Sequence, residues 1–300
     1  MPVADRLPTR RTFLAACVAS GTLAACSPQG DGPDVLRIAS KGFGEQDVLA
    51  NMLKLLALKH TPLQPRIVSL NNDLLYGAIK KGEIDTYVEY TGTALMNILK
   101  AEPLQDSEAV YALVRKELGE RFGIAALARL GFDSSTRFAM KEERAQALGI
   151  TRFSQVAALA PQLRLAASQV FLTRPDSFPA VERIYAPKFK EIVTMEVGLN
   201  QKALEDGLVD VIYATTTAGR IRSGGLRLIE DDRHAFVPYD AVPLVRQDVL
   251  ARRPVIGALY AHLQGRLNNT AVQSLNERVD VQGQSPEAVA SDWLKQQGLL

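Results

Sequence analysis

Gly82-Glu83-Ile84-Asp85-Thr86-Tyr87-Val88-Glu89-Tyr90-Thr91-Gly92-Thr93 is the stretch on which the reading of the fold turns. Ile84 to Val88 has the composition of a strand, and Gly82 ends the helical stripe of Leu74, Leu75, Ala78 and Ile79 just before it. Working backwards, Ile67-Val68-Ser69-Leu70 is a second strand, preceded by Val48, Leu49, Met52, Leu53 and Leu56 at helical spacing. Val35-Leu36-Arg37-Ile38-Ala39 is the first strand. Two consecutive strand–helix–strand units predict a parallel sheet covered by helices, an α/β architecture.

The alternation restarts near Gly131. Phe138-Ala139-Met140, Leu163 to Ala167 and Val209 to Tyr213 read as strands, with a short helix over Val156 to Leu159. Chain crossovers are expected near Gly131 to Ser135 and Thr215 to Gly219, which divides the folded part into lobe 1 (34–131 plus 220–300) and lobe 2 (132–219). Leu226 to Ile229 and the helical tail from Val255 to Trp293 are assigned to lobe 1. Ligands of open parallel sheets sit beyond the carboxyl ends of the strands. The segments Ser40 to Gln46 and Glu89 to Thr93 are therefore expected to face an interlobe cleft.

The N-terminus reads as an address. Arg10-Arg11-Thr12-Phe13-Leu14, an apolar run and then Leu23-Ala24-Ala25-Cys26 follow the order of an export signal. The arginine pair resembles the twin-arginine consensus, and Leu23 to Cys26 resembles a bacterial lipobox, which predicts a signal over 1–25 and lipidation at Cys26. Thirteen apolar-rich residues from Phe13 to Ala25 are too few to span a bilayer, which needs about 20. Residues 26–33, rich in Gly, Pro and polar side chains, are expected to form a tether. The other cysteine, Cys17, lies within the signal, so no disulfide is expected.

Of the 300 residues, 35 are basic and 33 acidic. The first 25 carry three arginines against one aspartate, which accounts for the whole excess. A balanced body gives no footprint for a phosphate backbone, so nucleic acid is not an expected partner. A hydrophobic content of 47% excludes a disordered chain. There is no G-x-S-x-G elbow, no phosphate loop ending in GK[ST], no H-E-x-x-H and no paired C-x-x-C. His60, His234 and His262 are scattered without metal-ligand spacing. No catalytic residue, metal or cofactor is expected.

Ile38-Ala39-Ser40-Lys41 with Glu45-Gln46, the Glu-Tyr-Thr-Gly-Thr segment, Leu130-Gly131-Phe132, Phe171 to Asp176, Ala218 to Ile221, Glu230 to Asp232 and Pro238-Tyr239 together resemble the substrate-binding proteins of osmoprotectant ABC importers. The likeness spans nearly the whole chain after the tether. It implies a two-lobe, type II periplasmic-binding-protein fold that closes on glycine betaine, carnitine, choline or a related compound. It also implies ABC permease subunits in the inner membrane as partners, and a monomer attached to the membrane only through its lipid.

By the same resemblance Lys41, Thr91 and Arg174 would grip a ligand carboxylate. Lysine, hydroxyl and planar guanidinium suit an anion removed from water. The alternatives are a solvated charge or a lobe-surface salt bridge for either cation and a helix cap for Thr91. Gln46 belongs to the pocket by the same likeness, or else is a first-turn helix residue. Tyr76 matches one position of the aromatic cage that such proteins build around a methylated ammonium. The other cage positions fall on Thr136, Gln201 and Thr215, which carry hydroxyls and an amide. Either the chain binds betaine weakly, or its pocket suits a more polar, amino-acid-like zwitterion. Tyr87, Tyr90 and Tyr239 are read as core. The expected role is capture of a small zwitterion for an ABC permease without covalent chemistry, with a sensory or regulatory binding protein as the alternative.

Overall fold

A computed structural model describes Gly32, residues 34–223 and residues 225–300. The expected signal over 1–25, Cys26 and all of the tether but Gly32 lie outside the described residues. The strands are β1 (Val35–Ser40), β2 (Gln64–Ser69), β3 (Thr86–Tyr90), β4 (Ile124–Ala126), β5 (Thr136–Lys141), β6 (Arg164–Ala167), β7 (Glu191–Thr194), β8 (Val211–Thr215), β9 (Leu226–Ile229) and β10 (Ala241–Arg246). They form two five-stranded sheets, ordered β2-β1-β3-β10-β4 and β7-β6-β8-β5-β9. Each sheet is the centre of one lobe.

In the first sheet β1 pairs parallel with β2 and with β3, as two strand–helix–strand units require. Helix α1 (Gly44–His60) makes the first crossover and buries Val48, Leu49, Met52, Leu53 and Leu56. Helix α2 (Asn72–Lys81) makes the second. Its N-terminus is capped by the Asn71 side chain, which accepts from the Leu74 N–H at 3.2 Å, and it stops at Gly82, whose φ of +76° is left-handed. The sheet is mixed, however, because β10 lies antiparallel between β3 and β4. That strand re-enters from the second lobe at the end where β3 leaves, so it must run the other way.

The third strand begins two residues later than the hydrophobic run suggests. The Asp85 carboxylate accepts from the Arg37 N–H at 2.8 Å and takes the Arg37 guanidinium, which pins the chain before the ladder begins. Glu89 and Tyr90 are thereby brought into the strand end. All five residues of β3 are buried, because Val88 and Tyr90 join the core under α1 while Tyr87 joins the core on the opposite face.

In the second sheet β6 pairs parallel with β7 and β8, and β5 runs antiparallel to both β8 and β9. The core there is aromatic: the Phe138 and Phe153 rings stack at 4.0 Å, and Phe171 stacks on Tyr213 at 3.9 Å. The return crossover expected at Thr215 to Gly219 comes later. Phe138 pairs with Ile229 and Lys141 with Leu226, so β9 belongs to the second sheet, and β10 is the first strand back. A four-residue apolar strand states its propensity but not its ladder partner.

The helical tail packs on the first lobe, as its periodicity predicts. Val289, Ala290, Trp293 and Leu294 of the last helix (Pro286–Gln296) share one core with α1. Helix Asn269–Asn276 reaches across to the outward crossing at Asp133 and to the segment that follows β8. Asn269 donates to the Asp133 carbonyl at 2.7 Å, Gln273 to that of Thr216 at 2.8 Å, and Asn276 to that of Thr217 at 2.8 Å.

Candidate functional site

A cleft of about 640 Å³ opens where β3 ends, walled on the first-lobe side by Asn71, Asn72, Asp73, Tyr76, Glu89, Thr93, Asn97, Ile98 and Lys100. Val170 and Arg174 supply the second-lobe side. Short chain segments put them there. The capped start of α2 presents Asn71 to Tyr76, the strand end presents Glu89, and a helical stretch beginning at Thr91 presents Thr93 and Asn97. Arg174 ends the short helix Gln169–Thr173, whose first turn is capped by Ser168.

Of the residues expected to hold a ligand, Tyr76 and Arg174 both line this cleft. The Tyr76 ring is braced edge-on by Phe122 at 5.6 Å, with the Lys80 ammonium 5.2 Å from its centre. Burial pushes its phenol upward, against a smaller opposing pull from Arg121, so the ring is neutral in the physiological range. Arg174 donates from Nε and Nη2 to Asp176, at 2.6 Å each, and from Nη2 to the Tyr239 hydroxyl at 3.1 Å. Burial disfavours its charge, but Asp176 and Tyr239 outweigh that and hold the guanidinium firmly protonated.

Lys41 lies behind the cleft wall. Its ammonium is paired with Glu89 and sits 5.0 Å from the Tyr90 ring centre, with 5% of the side chain exposed. The residue that lines the cleft is Glu89. Its carboxylate is further fixed by the Tyr90 N–H at 2.8 Å and the Tyr87 hydroxyl at 3.2 Å. The expected lysine contact is thus a salt bridge in this conformation, with its carboxylate partner in front.

Thr91 is fully buried and does not line the cleft. Its hydroxyl donates to the Pro238 carbonyl at 3.3 Å and accepts from the Asp240 N–H at 3.0 Å, which ties the returning chain to the end of β3. One hydroxyl has one donor hydrogen, so none is left for an anion. Thr93, two residues on, takes the place facing the cleft. Gly92 between them permits the return segment to approach, since a β-carbon there would lie 2.7 Å from the Pro238 carbonyl oxygen.

Gln46 is also interior: its amide donates to the Tyr90 hydroxyl at 3.0 Å, as a buried first-turn helix residue. Thr136 and Thr215 are brought together as a cross-strand pair of β5 and β8, though neither lines the cleft. The Thr215 hydroxyl lies 3.2 Å from that of Thr217. Gln201 is half-buried on helix Val197–Glu205, also outside the cleft lining. Tyr87, Tyr90 and Tyr239 are core residues, all less than 9% exposed.

Asn97, Asn71 and Asn72 line the cleft without having been singled out in the sequence, and of the Glu-Tyr-Thr-Gly-Thr segment it is Thr93, not Thr91, that lines it. A signal for Thr93 existed. A glycine flanked by two threonines at a strand-to-helix junction places the first hydroxyl inward with the strand and the second one step around the helix. Asn97 follows Thr93 at helical spacing.

Residues 34–296 match the family model described as the substrate binding domain of ABC-type glycine betaine transport systems. The glycine-betaine-binding protein of Pseudomonas aeruginosa is 32% identical over 301 residues, covering 97% of this chain and 95% of that protein. A carnitine transport binding protein of Listeria monocytogenes is 29% identical over 96% of this chain and 93% of its own length. A crystal structure described as a glycine betaine/carnitine/choline ABC transporter superposes with a TM-score of 0.80 at 25% identity, covering 88% of this chain and 99% of that one. Two lobes, a cleft floored by the end of β3 and an unbroken family match from Asp34 onward lead to one identification: the chain belongs to the substrate-binding proteins of glycine betaine ABC transport systems.

Proposed function

We propose that the chain captures a small zwitterion in the cleft between its lobes and delivers it unaltered to ABC permease subunits in the inner membrane. The observation that carries this is the cleft itself, with Tyr76, Glu89 and Thr93 on one lobe and Arg174 on the other. A ligand that bonds both walls is held fully only when they approach, so its binding energy favours the closed state. Relatives named for glycine betaine and carnitine give the ligand class. Tyr76 and Arg174 are proposed as direct contacts. Lys41 acts through Glu89, Gln46 and Thr91 hold the wall in place, and Thr136, Gln201 and Thr215 lie on the second lobe as contacts available on closure. The lobe division is proposed as 34–131 with 237–300 against 132–236.

The first 25 residues are read as a twin-arginine export signal and Cys26 as the lipidated N-terminus of the mature protein. The domain then works as a tethered monomer on the extracytoplasmic side of the membrane, performing no chemistry on its ligand. Two lipid chains or more hold such a tether stably, whereas one holds it only marginally.

A second reading concerns the ligand alone. Tyr76 is the one aromatic residue among the described residues lining the cleft, beside Asn71, Asn72, Asn97 and Thr93. A cage built from ring faces is worth about 0.5–2 kcal/mol per face, so a single face favours a ligand with more hydrogen-bonding capacity. A thermal-shift panel on the purified protein with glycine betaine, carnitine, choline, proline betaine and polar amino acids tests both readings. A ligand at a hundred times its dissociation constant should add about 2.7 kcal/mol of stability. No shift with any of them would sink the transport reading, and a shift confined to amino acids would select the second.

A further inference from the structure

Part of the charge around the cleft is compensated inside the protein. Arg174 is bridged to Asp176 and Glu89 to Lys41, and neither Asp176 nor Lys41 lines the cleft. The other two charged residues of the lining are different. Asp73 and Lys100 are both exposed, and among the described residues no ion pair, hydrogen bond or ring contact engages either side chain. The cleft wall therefore presents one uncompensated anion and one uncompensated cation, the charge complement of a zwitterion.

The position of Lys100 is strained. The helical stretch after β3 closes with the Leu99 N–H on the Ala94 carbonyl at 2.9 Å and the Ala101 N–H on that of Leu95 at 3.1 Å, and the chain reverses between them at Lys100, whose φ is +54°. Glycine adopts that left-handed closing conformation without penalty, and Gly82 and Gly123 do so at the ends of α2 and of helix Ser107–Phe122. A lysine gains nothing there from its backbone. Strain of this kind collects at functional sites, and what it retains here is an ammonium on the cleft wall. Asp73 stands in the first turn of α2, three residues before Tyr76 and so beside it on the helix surface, and both line the cleft. A cation at the Tyr76 ring would have a carboxylate as its neighbour.

We propose that Lys100 and Asp73 orient the captured zwitterion, Lys100 drawing its carboxylate and Asp73, beside Tyr76, its ammonium; this rests on the cleft being the ligand site. An unpaired charge close to an opposite one in a wet cleft is worth about threefold to tenfold in affinity. The two residues then discriminate by charge type. A zwitterion is held by both, whereas choline, a cation alone, is favoured by Asp73 and opposed by Lys100.

The test is calorimetric titration of the purified protein and its Lys100→Met, Lys100→Arg, Lys100→Gly and Asp73→Asn variants with glycine betaine, carnitine, serine and choline. Lys100→Met and Lys100→Gly should weaken the zwitterions that the wild type binds by about threefold or more and leave choline no weaker. The loss should shrink at high salt, where exposed charges are screened. Lys100→Arg should hold zwitterion binding within about twofold of the wild type, since the charge is kept. Lys100→Gly should also raise the melting temperature by about 2–4 °C, because it relieves the left-handed backbone. Asp73→Asn should weaken zwitterions and choline alike. Unchanged zwitterion binding in Lys100→Met, an equal loss of choline in that variant, or choline binding indifferent to Asp73→Asn would overturn the proposal. For a wild type that binds zwitterions but no choline, a loss in Lys100→Met that is matched in Lys100→Arg overturns it. A wild type that binds choline alone overturns this proposal while leaving the transport reading intact. One that binds nothing in the panel ends both.

Discussion

Arg174 and Asp176, two residues apart, form a two-point bridge across the edge of the cleft, with Nε and Nη2 each 2.6 Å from a different carboxylate oxygen. Tyr239, from the returning chain, closes the arrangement: its hydroxyl accepts from Nη2 and donates to Asp176 at 2.8 Å. A ligand contact from the second lobe is in this way anchored to the hinge.

Burial alone would push the Asp176 carboxyl up, but hydrogen bonds and charge from Arg174, with help from Tyr239, hold it below the usual carboxylate range. A depressed folded-state value means stability that is present above the unfolded carboxylate range and lost as pH falls through the folded value. Arg174→Ala should therefore cost about 3 kcal/mol at neutral pH, the low end for a broken buried pair because Arg174 is itself one-third exposed. Urea unfolding at pH 7 and pH 3 checks this. The deficit should shrink at pH 3, where protonation of Asp176 removes the uncompensated charge, and a constant deficit would mean that lost packing, not charge, is responsible.

Lys41 and Glu89 are both almost wholly buried, with 5% and 2% of their side chains exposed. Removing one partner strands the other, so Lys41→Met should destabilise the fold by about 3–5 kcal/mol. The double variant Lys41→Met with Glu89→Gln should regain most of that. A double-mutant cycle from denaturant midpoints gives the coupling directly. If the double variant is no better than the single, the pair is not what stabilises the strand end.

The two threonines of one pentapeptide should separate stability from binding. Thr91→Val keeps the shape but leaves the Asp240 N–H without its acceptor, at a cost of about 1–3 kcal/mol. Thr93→Val faces the cleft and should weaken ligand binding while moving the melting temperature little. Thermal melts with and without glycine betaine distinguish the two, and a reversal of these roles would show that the segment turns over on ligand binding.

What the sequence disclosed and what it withheld divide along a physical line. Local periodicity marks α1, α2 and the strands, because each buries a face whose spacing the residues repeat, and Gly82 ends a helix for a reason written in its own backbone freedom. The antiparallel insertion of β10 and the assignment of β9 to the second sheet depend on partners about 90 to 160 residues away, which no window of residues encodes. The same limit governs the site. Arg174 and Tyr76 were legible only through the family resemblance of their segments, whereas the neutralisation of Lys41 by Glu89 is a tertiary fact. So is the close contact at Gly219, where a β-carbon would lie 2.6 Å from the Asn276 carbonyl carbon.

Glu45 offers a test of how the tail helps to hold the segment that follows β8. Its side chain is buried, accepting from the Tyr90 hydroxyl and, at 2.9 Å, from Asn276, whose amide also donates to the Thr217 carbonyl at the end of β8. Burial raises the carboxyl; the donors Tyr90, Thr217 and Asn276 pull it back only in part, and the neighbouring Asp280 raises it further. A raised folded-state value contributes stability that is fully present below the unfolded carboxylate pKa of about 4.3 and lost as pH rises through the folded value. Each unit of the rise is worth about 1.4 kcal/mol. Glu45→Gln retains an acceptor for Tyr90 but cannot ionise, so its unfolding free energy should fall less than that of the wild type between pH 5 and pH 8. Asp280 is also raised by burial, and because its charge acts on Glu45 the difference between the two curves reports Glu45 together with that coupling. Urea unfolding across that range supplies both curves. Parallel curves would mean that Glu45 ionises in place at no cost, and that the link from α1 through Asn276 to β8 does not depend on its proton.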